Sequence, residues 1–245
     1  KWSDKFNPDL IWLHNLHGYY INIRLLFQWM KSHPEREVKW TLHDCWTFTG
    51  DCVHFTMVKC DKWKEGCRNC PQKGEYPASR WVDRSERNYR EKRELFCGIE
   101  KMLIITPSQW LAGLVKQSFL QKYPVEVRHN KIDETVFKPT NSDFREKYGL
   151  RGKKIVLGVA NVWGKSKGLN DFLELAQMLN DDYAIVLVGL SSKQLKKMPK
   201  KVKGIGKVKE AKRLAEIYSA SDIYINASKE ETFGLTTLEA VKCGA

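Results

Sequence analysis

Two glutamates with seven residues between them, Glu231 and Glu239, stand in the polar run 226–240 near the C-terminal end of the sequence. An ionised carboxylate accepts strong hydrogen bonds from hydroxyl groups. A buried one is costly unless it is so bonded; the vicinal diol of a ribose therefore suits Glu239, and the plainer alternative is a solvated glutamate on a crossover helix. Lys165 and Lys167 lie in the loop 161–168, just ahead of a helical pattern opened by Gly168. A cation beside a helix N-terminus favours an anion; otherwise these lysines are free surface charges. His43-Asp44 follows directly on the stretch 38–42, which reads as a strand. The imidazole can accept a sugar hydroxyl or orient an acceptor, and the carboxylate can serve as hydrogen-bond acceptor or base, unless the pair merely caps a loop. Cys52, Cys60, Cys67 and Cys70 fall within one loop, the last two as a Cys-x2-Cys knuckle. Such a knuckle can place two thiolates on one tetrahedral ion; disulfides and unliganded thiols are the alternatives.

The elements that would position these groups alternate strand and helix. Residues 9–14, 38–42, 102–106 and 125–130 read as strands. Helical spacing over 19–32 carries Ile21, Leu25, Leu26 and Trp29, and 83–100 is a helix whose arginines and Lys92 read as a solvated face. Ser108 or Thr106 caps a helix entered through Pro107. After 133 the alternation restarts, with strands at 154–160 and 183–189, helices at 168–179 and 209–220, and a strand at 222–226. Gly234 opens a last helix, with Gly244 as its stop. On that helix Glu239 falls beside Leu235 and Leu238, so it leans toward the interior. The lysine-rich stretch 193–212 reads as solvated surface. Such alternation predicts α/β architecture, with parallel sheets flanked by helices. Ligands then bind beyond the carboxyl ends of the strands, where His43 and Asp44 lie. The Cys-rich loop at 45–75 is long and reads as poor in apolar residues, so a structural zinc would staple it; a closed four-ligand site does no chemistry.

The segment Glu-Thr-Phe-Gly-Leu-Thr-Thr-Leu-Glu-Ala, preceded by a strand and Ser228, resembles the E-x7-E segment of family-4 retaining glycosyltransferases. The resemblance implies the GT-B fold of two Rossmann-like domains, an acceptor-side domain at 1–133 and a nucleotide-sugar-binding domain at 134–245. It implies that Glu239 holds the ribose, that Glu231 contacts the sugar, and that the backbone of Phe233, Gly234 and Leu235 lies against sugar and phosphates. Lys167-Gly168 matches the family's Lys-Gly. Ser166 stands where some relatives have a cation, with Lys165 as the substitute. His43 matches a similar histidine in related enzymes. Asn130-Lys-Ile-Asp133 with Phe137-Lys-Pro139 resembles the connector between the halves, with Lys131 in place of the family glycine. The implied cosubstrate is a UDP- or GDP-linked sugar, the implied acceptor a glycan or lipid-linked molecule of polysaccharide biosynthesis, and no catalytic metal is expected.

At 245 residues the chain can bury a sizeable core, and 42% hydrophobic with 29% charged residues is close to the globular norm. No apolar run reaches the ~20 residues of a membrane helix and no signal peptide is visible, so a cytoplasmic site is expected. That expectation weighs against disulfides. Both ends read as cut from a longer enzyme. The net charge of +13 implies an anionic partner, such as nucleic acid, phosphorylated substrates or an acidic membrane face met peripherally, and does not choose among them. Two rivals remain: a GT-B nucleotide-sugar epimerase, and a basic zinc-containing nucleic-acid-binding protein. The second lacks a recognised nucleic-acid module, so no nucleic-acid partner is expected.

Overall fold

The computed structural model describes residues 6–18, 20–78 and 81–245. The chain divides into two compact units, Lys1–His129 and Asn130–Ala245.

In the first unit, β1 (Leu10–Leu13), β2 (Glu37–Thr41), β3 (Met102–Thr106) and β4 (Val125–Val127) form one parallel sheet in that order. Residues of both faces of β3 are buried, as in a parallel sheet covered on both sides. Packed with the sheet are α1 (Ile23–Lys31), α2 (Ser85–Phe96) and α3 (Gln109–Val115). Phe27, Trp40 and Phe96 meet in the core, with ring centroids 4.6 to 5.3 Å apart.

Helix α1 starts later than the spacing predicts, because Asn22 caps it by accepting from Leu25 N. Its buried residues are Phe27 and Met30, while Ile21 and Leu25 are exposed. The inward stripe runs through positions 23, 26, 27 and 30, the adjoining face of the same helix. Tyr19 lies outside the described residues. Ser108 caps α3, as expected.

Two expectations do not hold. The loop at 45–75 is not poor in buried apolar groups: Trp46, Phe48, Phe55 and Trp63 all join the core. Phe55 stacks on Trp63 at 4.9 Å. Nor is α2 solvated all round, because Ser85, Tyr89, Lys92 and Phe96 form its buried stripe.

In the second unit, β5 (Lys154–Val159), β6 (Tyr183–Val188), β7 (Val202–Ile205) and β8 (Ile223–Tyr224) make a parallel sheet of order β7-β6-β5-β8. Five helices accompany it among the described residues: α4 (Phe144–Lys147), α5 (Leu169–Met178), α6 (Ser192–Leu195), α7 (Ala211–Ser219) and α8 (Leu235–Cys243). Successive residues of β5 and β6 enter opposite clusters, Ile155 and Leu157 on one face and Val156 on the other. Strand β7 lies within the lysine-rich stretch expected to be surface. It belongs to the sheet because Val202 is buried between the exposed Lys201 and the half-buried Lys203. The strand read at 222–226 pairs only over Ile223 and Tyr224. Lys131 is not among the described residues with positive φ, so it does not carry the strain a glycine there would relieve.

Candidate functional site

The sheet of the second unit grows from β5 through β6 to β7 and then returns to the other side of β5 with β8. The reversal leaves a crevice beyond the carboxyl ends of β5 and β8, the place where open α/β sheets bind ligands. Two loops meet there. The backbone of Lys229 donates to Ser166 O at 2.8 Å, and Lys229 pairs with Asp171. Gly168 has φ +71, and a Cβ on it would lie 2.5 Å from that of Ala227. The glycine is therefore needed both for its left-handed turn and for the close approach of the loops.

Lys167 Nζ donates to Glu231 Oε2 at 2.8 Å, each side chain about one-third exposed. Helices α5 and α8 begin at Gly168 and Gly234, both left-handed, and neither has a side-chain cap. Their first N–H groups lack intrahelical partners and favour an anion. Lys165 is exposed at the loop tip, Phe233 is half-buried and Leu235 is 42% exposed. The crevice thus gathers Lys167, Gly168, Glu231 and Gly234 in one place.

Glu239, farther along α8, is half-buried, as expected of it, although not through Leu235. Its Oε2 accepts from the fully buried Tyr218 hydroxyl at 2.9 Å. Burial raises the Glu239 pKa, against the lowering effect of that hydrogen bond. The Tyr218 phenol is raised strongly by burial and by Glu239. Tyr224 donates to Thr236 at 2.8 Å, tying β8 to α8. Sequence spacing does not reveal Tyr218, whose contact depends on α7 packing against α8.

In the first unit His43 and Asp44 follow β2, and two histidines from the loop after β1 join them. His14 Nδ1 lies 3.0 Å from His43 Nε2, and His17 Nε2 lies 3.1 Å from Asp44 Oδ2. The pKa of His43 is lowered by burial and by His14, against Asp44. Asp44 Oδ1 also accepts from Trp46 N at 2.9 Å, so it caps its turn as well as facing His17. Both histidines lie in the stretch 14–17 that follows β1, and the pairing of β1 with β2 brings them to the pair. Beside them is a cavity of about 280 Å³ lined by His17, Arg24, Trp46, Asp51, Glu91 and Lys92 among others.

None of the seven cysteines forms a disulfide. Cys52 Sγ and Cys70 Sγ lie 3.7 Å apart, and Gly50 N donates to Cys67 Sγ at 3.1 Å. Burial, then Cys70, pushes the Cys52 thiol up to about 12. Burial pushes Cys67 up to about 11, against the Gly50 hydrogen bond. No group of three or more His, Cys, Asp or Glu is arranged to hold a metal among the described residues. The structure therefore displays a thiol pair rather than the four-ligand cage that the spacing predicts. Two thiolates on one zinc, at Zn–S of ~2.3 Å, stand about 3.8 Å apart, so that pair fits a shared ion.

Residues 140–245 match the family Glycosyl transferases group 1. With two parallel-sheet units flanked by helices, the fold is that of the GT-B glycosyltransferases, and the family match falls within the second unit. Among relatives, the putative colanic acid biosynthesis glycosyl transferase WcaC of Escherichia coli (strain K12) is 37% identical over 114 residues, covering 43% of this chain and 27% of that protein. Sucrose-phosphate synthase of Thermosynechococcus elongatus superposes with a TM-score of 0.67 at 16% identity, covering 100% of this chain and 56% of that one. HepE of Anabaena in complex with UDP gives 0.63 at 19%, covering 99% and 59%. The chain thus spans less than two thirds of each of these proteins. No helix among the described residues is long and apolar enough to cross a membrane.

Proposed function

We propose that this chain is the core of a retaining glycosyltransferase that moves a sugar from a nucleotide-sugar donor to a glycan or lipid-linked acceptor in polysaccharide biosynthesis. The observation that carries the reading is the crevice of the second unit, where Lys167, Glu231, two uncapped helix N-termini and Glu239 converge in a group 1 domain. Lys167 and the helix N–H groups hold the donor diphosphate and stabilise the charge that develops as it departs. Glu239 accepts from the ribose hydroxyls and Glu231 from the sugar. The backbone of Phe233, Gly234 and Leu235 lies along sugar and phosphates, with Lys165 as a second cation. Residues 134–245 are the donor side and 1–133 the acceptor side, where His43 and Asp44 orient the acceptor hydroxyl. HepE was solved with UDP and with UDP-glucose, which supports a UDP-linked over a GDP-linked donor here. WcaC carries a name from polysaccharide synthesis, which supports the acceptor class.

Cys52, Cys60, Cys67 and Cys70 are the proposed ligands of one structural zinc, supported by their spacing and by the Cys52–Cys70 distance. The proposed place of action is the cytoplasm, with peripheral contact to an anionic membrane face supported by the +13 charge.

Calorimetry with UDP, GDP and their sugars tests the donor assignment. The expected outcome is binding of UDP and a UDP-sugar, with GDP weaker. Binding of none of them ends the reading. Incubating the donor with and without acceptor then distinguishes transfer from epimerisation, which proceeds without acceptor.

A further inference from the structure

Lys92 is the one lysine buried in the core of the first unit among the described residues, and its charge has no carboxylate bonded to it. Its Nζ donates to Trp46 O at 2.7 Å and to Thr49 O at 3.1 Å, and it stands 3.6 Å over the Trp46 ring. An ammonium has three N–H donors, so two carbonyls and one π face account for all of them. These partners belong to one turn, the 3-10 turn Trp46–Phe48 with its following residue. Asp44 stands two residues ahead of that turn, its Oδ1 accepting from Trp46 N while Oδ2 faces His17. The His17 and Trp46 rings lie 5.4 Å apart. A connected path therefore runs from Lys92 on α2, through Trp46, to the Asp44 carboxylate and His17.

We propose that Lys92 is a positioning residue: it clamps the Trp46–Thr49 turn from beneath and so holds the Asp44 carboxylate against His17 in the orientation that the acceptor meets. A methionine or leucine would fill the same stripe of α2 and pack as well against Tyr89 and Phe96. A buried cation is costly, so its presence there calls for a function its shape alone does not supply. Lys92 also lines the 280 Å³ cavity, which gives small molecules access to its place.

The proposal rests on the acceptor-side role given to Asp44, and its test keeps the two apart. Amide exchange across 42–52 and carbethoxylation of His17 are followed by mass spectrometry in the natural chain, Lys92→Met and Asp44→Ala. Lys92→Met is expected to speed exchange of amides 45–49 at least tenfold, leave β1 and β3 unchanged, and raise His17 reactivity several-fold, as Asp44→Ala does. Natural rates at both 45–49 and His17 overturn the proposal. So does an equal acceleration in β1 and β3, which would make Lys92 a general core residue. Should Lys92→Met fail to fold, Lys92→Ala is measured with n-butylammonium and with tetramethylammonium, which has the charge but no N–H. Restored protection of 45–49 with the first alone supports the clamp, and equal effects overturn it. In transfer assays Lys92→Met should lower kcat at least tenfold with donor affinity unchanged, and n-butylammonium should partly restore Lys92→Ala. A natural chain that binds no nucleotide sugar would end the transferase reading, while the exchange arm still decides whether the clamp exists.

Discussion

The two glutamates that open the sequence argument sit in different surroundings, and this difference makes their roles separable. Glu239 is half-buried and bonded by Tyr218, with a raised pKa. Hydrogen bonds to a charged group contribute roughly 1.5–3 kcal/mol, about ten- to a hundredfold in affinity. Glu239→Gln should weaken UDP by about that factor. The sign of the pH effect follows from the raised pKa: the ionised carboxylate is the better acceptor, so UDP affinity should increase as pH rises through the Glu239 pKa, which burial holds above the ordinary glutamate value. Calorimetry across pH should show that rise in the natural chain and lose it in Glu239→Gln; a rise that persists in the variant assigns it elsewhere. Glu231 is partly exposed and paired with Lys167. Such a pair is worth about 0–1 kcal/mol, so freeing the lysine changes diphosphate affinity by less than about fivefold. Glu231→Gln should therefore bind UDP no more weakly than the natural chain while transferring sugar poorly. Loss of UDP affinity equal to that of Glu239→Gln would refute the division of roles.

At the scale of elements, the turns that carry these side chains are as specific as the side chains. Gly168 combines a left-handed φ with contact to Ala227 that leaves no room for a Cβ. Gly168→Ala costs roughly 1–2 kcal/mol for the conformation alone, and the clash must also push apart the loops bearing Lys167 and Glu231. Its melting temperature should fall and its UDP affinity should drop; a variant with natural affinity would show that the loops do not act as one site. The Cys-rich loop supports a second prediction. Purified protein should hold one zinc per chain, lost in Cys52→Ser and Cys70→Ser, whereas metal analysis without zinc would leave the buried Trp63 and Phe55 to anchor the loop alone. The E-x7-E run, its strand, its glycine-opened helix and the alternation of the sheets were legible because each is a local pattern along one element. The Lys167–Glu231 pair, Tyr218 beneath Glu239, and His14 and His17 beside the His43-Asp44 pair were not, because strand order and helix packing bring them together. Lys92 is an intermediate case. Its spacing with Ser85, Tyr89 and Phe96 marks the inward stripe, but a lysine among so many arginines reads as surface.

At the scale of the whole molecule, charge acts without any single contact. The chain has 42 lysines and arginines against 29 acidic residues. Several of the lysines lie in the stretch 193–212, where the exposed Lys201 and the half-buried Lys203 flank the buried Val202 of β7. A surface of this sign attracts anionic lipid at about 1 kcal/mol per basic residue near the surface, and the attraction fades within a Debye length. Two signals are needed for stable anchoring, and charge is only one of them. Binding to vesicles should therefore be reversible and steeply dependent on salt. Cosedimentation with vesicles containing phosphatidylglycerol should be seen at ~20 mM salt, fall off by about 0.15 M as the Debye length shrinks to ~8 Å, and be absent with phosphatidylcholine alone. Lys196, Lys197, Lys200 and Lys201 changed together to glutamine should weaken it further, because removing four charges from one stretch subtracts their share of the attraction. Binding that persists in high salt or to neutral vesicles would show that apolar insertion, not charge, holds the protein to lipid, and no sedimentation at low salt would rule out the membrane-face reading altogether.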